Sequence, residues 1–361
     1  MYDFFELDFL NIESKQSGDA IALRYSSHGD NRIHVIDGGF QDTGEKILEH
    51  INTYYDTSRT IDAVIVTHAD GDHTGGLAKI LENFHVSELW MLRPWHYAGQ
   101  LLPRFPRWSN LSNLVKELKD AFRNIADLEE IANRKNIPIY EPFQGVSIGE
   151  FTVLSPTKEM YLDLVVESDK TPDGTWDRRQ SFLGGRPPSF KHLRRSESSE
   201  WGKEIFSPEE TSPDNEMSVV QFADLCENRI LLTGDAGRRA LVEAALYAIR
   251  GGLTLPGVDW FQVPHHGSRR NVSAKILDCW LGEITPPDPT QERAKRGNAI
   301  ISASKEDDDH PRNAVIRACI HRGARVYSNE DTNFLAFSQN APPRNWSAAN
   351  PLFYPNEQET N

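Results

Sequence analysis

Little in this sequence can staple the chain together or hold it in a bilayer. Its three cysteines, Cys226, Cys279 and Cys319, are spread widely over 361 residues. That scatter excludes a disulfide framework and fits reduced thiols in a cytosolic core. No apolar run approaches the ~20 residues of a spanning helix, so no membrane segment is expected. The opening MYDFFELDFLNIE carries acids where a signal peptide carries Lys or Arg. Export is therefore not expected, and the expected location is the cytoplasm. Basic residues are outnumbered, 39 Lys and Arg against 53 Asp and Glu, for a formal net charge of −14. Such a balance excludes a protein that coats duplex DNA by bulk electrostatics. A local basic groove stays open, because steering depends on the distribution of charge as well as its sum.

What is present is a chain long enough for one large core or two modest ones, organised around Ile61 to Leu77, IDAVIVTHADGDHTGGL. Ile61, Ala63, Val64, Ile65 and Val66 form a short β-branched, apolar run, the mark of a strand buried on both faces. Four metal-competent side chains then follow within six residues: His68, Asp70, Asp72 and His73. Gly75-Gly76 opens a helical pattern through Leu77, Ile80, Leu81 and Phe84. A strand that ends in a tight loop feeding a helix puts polar groups at the carboxyl end of a sheet, where α/β proteins bind ligands. Imidazole and carboxylate together suit divalent transition metals.

The same step recurs along the chain. Residues 4–12 and 19–25 alternate like paired strands, and Arg32–Ile36 is a third that ends at Asp37-Gly38-Gly39. Helical spacing runs through Gly44–Tyr55 and, over a longer stretch, Leu111–Arg134. Between them lie the strand Ser87–Leu92 and a loop, Arg93–Trp108, that mixes Arg with Trp, Tyr and Phe. Such a mix suits single-stranded nucleic acid, although aromatics that cap the core are the slightly favoured reading. Ile137–Tyr140, Val146–Ile148 and Phe151–Leu154 read as a small meander. From 155 to 213 the pattern dissolves into a polar insertion or lid, net basic between Lys170 and Lys203; plain disorder fits its composition equally well. Its Arg178, Arg179, Arg194 and Arg195 offer a clamp or a solvated face. Order returns with a hairpin, Ser218–Phe222 and Arg229–Leu232, which ends in Thr233-Gly234-Asp235. Val258–Val263 ends in Pro264-His265-His266-Gly267-Ser268, and Ala299–Ala303 precedes Glu306–Asp309 and His310-Pro311. The reading is one domain over residues 1–338 and a loosely held tail over 339–361. Asp37, His68 to His73, Asp235 and His265-His266 all follow strands, and in a layered α/β fold such ends meet on one edge.

In order, the chain offers FLNIESKQSGDA, VIDGG, HADGDHTGG, NEMS, LLTGD, VPHHGS, HP and GARVY. This series resembles the metallo-β-lactamase fold, and within it the C-terminal hydrolase domain of ComEC-type competence proteins, from about Phe9 to Phe337. The resemblance implies a four-layer αββα sandwich and a site for two divalent ions, zinc or manganese, with magnesium possible. It implies that His68 binds the first ion, that Asp72 and His73 bind the second with one of His265 and His266, and that Asp235 bridges both. Asp37 would support the loop from behind as a hydrogen-bond acceptor. Two departures matter. The second histidine of the lactamase HxHxDH motif is Asp70 here, as it is in the competence subgroup, and the third falls at Asp214-Asn215. A first site of His68, Asp70, Asp235 and Asp214 or Asn215 is harder and more anionic than three imidazoles, which favours manganese or magnesium or lowers occupancy.

The expected chemistry is hydrolysis by a hydroxide bridged between the two ions, on a phosphodiester whose transition state spreads charge over several oxygens. Asp72 and Asp235 carry it. The spare histidine of the pair (His266 where His265 is the ligand), or His310, would give the leaving group its proton; a structural role for each stays open. Arg269 and Arg270, directly after HHGS, are placed to meet a substrate phosphate. The expected partner is nucleic acid, single-stranded in preference to duplex, or a nucleotide, with a partner protein or homodimer also open. A small-molecule hydrolase acting on a cyclic nucleotide, lactone or thioester, and a non-catalytic binding module, are the competing functions.

Overall fold

The computed structural model describes residues 2–27, 29–55, 60–171, 196–287 and 296–360. Two seven-stranded sheets form its centre. In the first, Tyr2–Phe9 lies between Phe334–Phe337 and Ala20–Ser27, and Asp30–Gly38 extends the antiparallel run. Thr60–Ile65, His85–Trp90 and Ile139–Tyr140 then continue the sheet in parallel. The second sheet repeats the plan. Ser147–Ile148, Phe151–Ser155, Val220–Leu225 and Asn228–Leu232 pair antiparallel. Trp260–Gln262, Gly297–Ile301 and Ala324–Ser328 follow in parallel.

The pleat explains the layering. Ile230 and Leu232 pack in the core between the sheets, while Leu231 between them packs under the outer helices of the second half. A strand whose alternate residues serve two cores must read as an unbroken apolar run. The helices Arg238–Arg250, Ala274–Leu281 and Asn313–His321 cover that outer face through Leu241, Ala244, Leu277, Trp280 and Val315. The helices Thr43–Tyr54 and Leu77–Asn83 join the first core through Ile47, Ile51, Ile80 and Leu81. The result is the αββα sandwich expected from the sequence. Among the described residues no helix is long and apolar enough to cross a membrane, and the three cysteines are free.

Several local expectations change. The long helix is two, Leu111–Ala121 and Arg123–Lys135, broken where Phe122 leaves helical geometry (φ −111°, ψ 49°). The meander is divided between sheets, with Ile139–Tyr140 closing the first and Ser147–Ile148 opening the second. The polar stretch after Ser155 contains a helix, Lys158–Glu167, capped by the Thr157 side chain. Its buried residues, Tyr161, Leu162, Leu164 and Val165, form no clean stripe, which hides the helix from a periodicity reading. The insertion's four clamp arginines lie outside the described residues. Trp95, Tyr97 and Phe105 of the aromatic loop are buried, and Arg93 meets Glu129 at 3.2 Å. They cap the core.

The tail differs most from expectation. Arg344 reaches back to Asp8 (2.6 and 3.0 Å) and Glu6 (3.1 Å), and Glu357–Glu359 pairs with Ser196–Ser198. The Glu359 carboxylate accepts from the backbone N–H of Asn313 and Ala314 at the start of a helix. A Pro- and Asn-rich composition gives no hint of partners that lie more than 300 residues earlier.

Candidate metal centre

The carboxyl ends of the parallel strands of both sheets meet at one rim. Asp37 is the pivot of the first half. It sits in the left-handed region (φ 57°), a strained conformation for a non-glycine residue, and such strain persists where the surroundings hold it for a purpose. Its carboxylate accepts from the Thr67 N–H (2.8 Å) and the Thr67 hydroxyl (2.5 Å), and it lies 2.7 Å from His73 Nδ1. With its proton spent on Asp37, the Thr67 oxygen accepts from His68 Nδ1 at 3.1 Å. One carboxylate thereby aims two imidazoles, presenting Nε2 of each to the rim.

The second half mirrors this. His266, also left-handed (φ 54°), donates from Nδ1 to the Ser302 carbonyl at 2.9 Å. The Asp235 N–H donates to Ser218 Oγ at 3.2 Å. Asp19 enters from the first hairpin, its N–H on the Asp72 carbonyl at 3.1 Å and its Oδ2 accepting from Gln262 at 2.9 Å. Gly18 permits that approach, since a Cβ there would stand 2.6 Å from the Asp72 carbonyl oxygen.

Once these bonds are drawn, five buried atoms have no hydrogen-bond partner: Nε2 of His68, His73 and His266, and Oδ1 of Asp19 and Asp235. Buried polar atoms are otherwise almost always paired, so a convergent set without partners is shaped for something else. His73 Nε2 and His266 Nε2 lie 3.3 and 3.8 Å from Asp235 Oδ1, and His68 Nε2 lies 3.9 Å from Asp235 Oδ2. Asp72 Oδ2 is 3.8 Å from His266 Nε2. Donors about 2.0–2.2 Å from one cation stand at such separations from each other, so the residues fit a divalent ion. Among the described residues, four overlapping triads have all donor atoms within 4.8 Å of one another: His68, His73 and Asp235; Asp72, His73 and His266; Asp19, Asp235 and His266; and, behind them, Asp19, Asp37 and His73.

Electrostatics agree. Burial pushes the Asp235 carboxyl up, but the charges of His265, His73 and His266 outweigh it and hold it well below the usual range. Burial presses His73 and His266 down, yet Asp235 and the other carboxylates lift both, His266 to about 9. Asp19 is raised by burial despite His266 and His73 nearby. The pocket is built for positive charge.

The remaining predicted residues are placed as follows. His265 is in no triad. Its Nε2 is 3.6 Å from Asp235 Oδ2, its Nδ1 lies by Asn271 (3.0 Å) and Asn215 (2.9 Å), and burial lowers it to about 4. His266 belongs to two of the triads and His265 to none, which favours His266 as the ligand where the sequence left the choice between them open: a left-handed turn points adjacent residues in different directions. His310 stacks on His265 (ring centroids 5.4 Å apart), and its Nδ1 is 3.2 Å from Asp307 Oδ2. Asp70 and Asp214 belong to none of the triads: Lys170 joins them through Asp70 Oδ1 and Asp214 Oδ1, while Asp70 Oδ2 lies 3.7 Å from His68 Nε2. Asn215 bonds His265 and Thr211 rather than the cluster. Arg269 reaches the carbonyls of Ile205 and Glu359, so it ties down the tail strand. Arg270 is exposed and paired with Glu209.

The sequence reading missed Asp19, Lys170 and Asp307. The first had a signal, since SGDA stands in the motif series; the other two sit where no periodicity survives.

Residues 17–149 match the model of the Metallo-beta-lactamase superfamily. That span holds Asp19, Asp37 and the His68–His73 loop, and the two stacked sheets are consistent with a metallo-β-lactamase fold. No curated protein matches the sequence. Among solved structures, the metallo-beta-lactamase fold protein YhfI from Bacillus subtilis is 9% identical, over 93% of this chain and 100% of that one, with a TM-score of 0.41. A putative metallo-beta-lactamase from Thermotoga maritima is 13% identical over 69% and 85% (TM-score 0.30). The hydrolase AbOPH in the beta lactamase superfamily is 11% identical over 60% of this chain (TM-score 0.31), and the match spans 56% of its length.

Proposed function

We propose that this chain is a metal-dependent hydrolase that cleaves phosphodiester bonds, as a nuclease or nucleotide phosphodiesterase. The observation that carries the reading is the cluster of five buried, partnerless nitrogen and oxygen atoms in overlapping triads, with the three imidazoles and Asp19 each oriented from behind by a hydrogen bond. Asp72, His73, Asp235 and His266 would hold the ion, with His68 and Asp19 at its flanks. A divalent ion there supplies Lewis acidity to the attacked phosphorus and to water. The donors are half carboxylate, a hard set that suits manganese as well as zinc, with magnesium a weaker candidate.

The chain's own residues do the rest. Asp37 holds His73 directly, and His68 through Thr67, so that both aim Nε2 at the rim, where a cation would take the place of a proton. At the mouth, Asp307 accepts from His310 Nδ1–H and orients the ring, so that when the ring carries both protons its Nε2–H can pass one to the departing oxygen and leave the neutral Nδ1–H ring behind. The competence-type order of motifs supports a phosphodiester over a β-lactam, because the first position lacks two imidazoles of the lactamase pattern.

A second reading has its own observation. An apolar pocket lined by Val66, Leu92, Phe122, Ile125, Tyr161 and Met217 opens beside His68 and Asp214. Its interior is about 20 Å³, room for a methyl group or one water, so the end of an acyl chain of a lactone or thioester fits it and a nucleobase does not. Bis(p-nitrophenyl) phosphate, single-stranded DNA, cyclic nucleotides, an acyl lactone and a thioester, each assayed with manganese and zinc, separate the readings. Phosphodiester turnover that falls steeply with salt on the polymer supports a nuclease; turnover confined to the lactone or thioester would overturn the phosphodiester reading.

A further inference from the structure

We propose that Lys170 takes the place of the first of the two cations, so that the chain binds one divalent ion and supplies its second positive charge from within. The inference rests on the metal-dependent reading above. It begins with the carboxylates left over when the triads are drawn. Asp70 and Asp214, the two residues that stand where the resemblance puts first-site ligands, belong to no triad among the described residues. Both are instead held by one ammonium: Lys170 Nζ is paired with Asp70 Oδ1 and lies 3.3 Å from Asp214 Oδ1.

The lysine is built in. Its backbone N–H donates to Ser168 Oγ at 3.2 Å, and the same hydroxyl donates to Asp214 Oδ2 at 3.0 Å. Its ammonium also sits 6.0 Å from the centre of the Phe122 ring, a face that favours a cation. Asp214 is 4% exposed, and a carboxylate so buried needs a compensating charge. The chain meets that need with Lys170.

The consequence is steric and electrostatic. An ion ligated by His68 and Asp70 would have to share Asp70 with the ammonium and sit within a few ångströms of it. A divalent ion and an ammonium about 4 Å apart, with the screening usual near a protein surface, repel each other enough to weaken binding by at least roughly a thousandfold. The triads around His73, Asp235 and His266 share their members, as a single ion site would. A lysine also differs from a metal in what it does, since it holds a substrate oxygen by charge and N–H bonds without Lewis acidity.

The test is metal stoichiometry and affinity on the full chain, by elemental analysis after dialysis and by calorimetric titration with manganese and with zinc. The wild type should hold one ion, with any second ion about a thousandfold weaker. Lys170→Met keeps the stem and removes the charge; it should bind a second ion, and added manganese should raise its melting temperature by more than that of the wild type. Asp214→Asn, which leaves the Lys170–Asp70 pair, should stay at one ion. Two ions of comparable affinity in the wild type would overturn the inference, whether or not Lys170→Met folds, and leave the metal-dependent reading standing. A wild type that takes up neither metal would overturn that reading and this inference with it.

Discussion

Two clusters of buried charge show how differently the same residue types can be used. At the rim, Asp19, Asp235, His68, His73 and His266 aim buried donor atoms inward at no hydrogen-bond partner, with the half-buried Asp72 beside them. On the first hairpin, Glu6 and Asp8 are fully buried, yet every carboxylate oxygen is matched. Glu6 accepts from Arg24 (2.7 Å) and Arg344 (3.1 Å), and Asp8 accepts from Arg344 and the Tyr55 hydroxyl and lies 3.3 Å from His50. Arg344 is also stacked among Tyr54, Tyr55 and Trp346. Burial of charge therefore does not by itself mark a site. The difference lies in the carboxylates: beside the first hairpin every oxygen of Glu6 and Asp8 is matched, although both His50 ring nitrogens lack a hydrogen-bond partner, whereas at the rim Asp19 Oδ1 and Asp235 Oδ1 are left for a ligand.

The largest test of that contrast is removal of one open donor. Asp72→Ala or Asp235→Ala should reduce hydrolysis of bis(p-nitrophenyl) phosphate or single-stranded DNA to background, while circular dichroism and melting stay close to wild type. Full activity in either variant would remove the mechanism. The converse is Arg344→Ala. It leaves two buried carboxylates uncompensated and should cost about 3–5 kcal/mol of stability by denaturant titration, with metal content per folded chain unchanged. Loss of metal at full stability would erase the distinction between the clusters.

Smaller effects sharpen it. Asp37→Ala removes the bond that aims His73 and should weaken metal affinity by about 10–100-fold, read by competition with a chelator. The closed cluster should also have a pH signature. Burial would raise Asp8, but His50 and Arg344 outweigh it and hold its carboxyl below the ordinary value. A depressed folded pKa gives stability that is present above the unfolded value near 3.9 and lost as pH falls through the folded one. The cost of Arg344→Ala should therefore shrink on acidification below about pH 4. Smallest of all, Arg270→Ala breaks an exposed pair with Glu209 and should change stability by no more than about 0.5 kcal/mol. A large loss of activity on a phosphodiester would show that Arg270 leaves Glu209 for the substrate.

Legibility in the sequence followed the range of the interaction. Strands buried on both faces could be read from runs such as Ala63–Val66 and Ile230–Leu232, because the pleat demands apolar residues at every position. The break at Phe122 and the helix Lys158–Glu167 could not, since packing from other elements overrode a weak or continuous helical pattern. The tail was misjudged for the same reason: its anchor, Arg344, is meaningful only beside Glu6 and Asp8.

By itself the sequence determined which short segments bear metal-competent side chains, because a buried strand followed by a loop of His and Asp is a local pattern. Only the tertiary structure decided how those side chains are used. Left-handed backbone at residues 265 and 266 turns His266 inward and His265 toward the mouth, a choice that two identical neighbours cannot express in their order. Asp19 joins the cluster because one hairpin meets another loop, and Lys170 reaches Asp70 across 100 residues of chain. Charge acts through space, and the distances that set its strength exist only once the chain has folded.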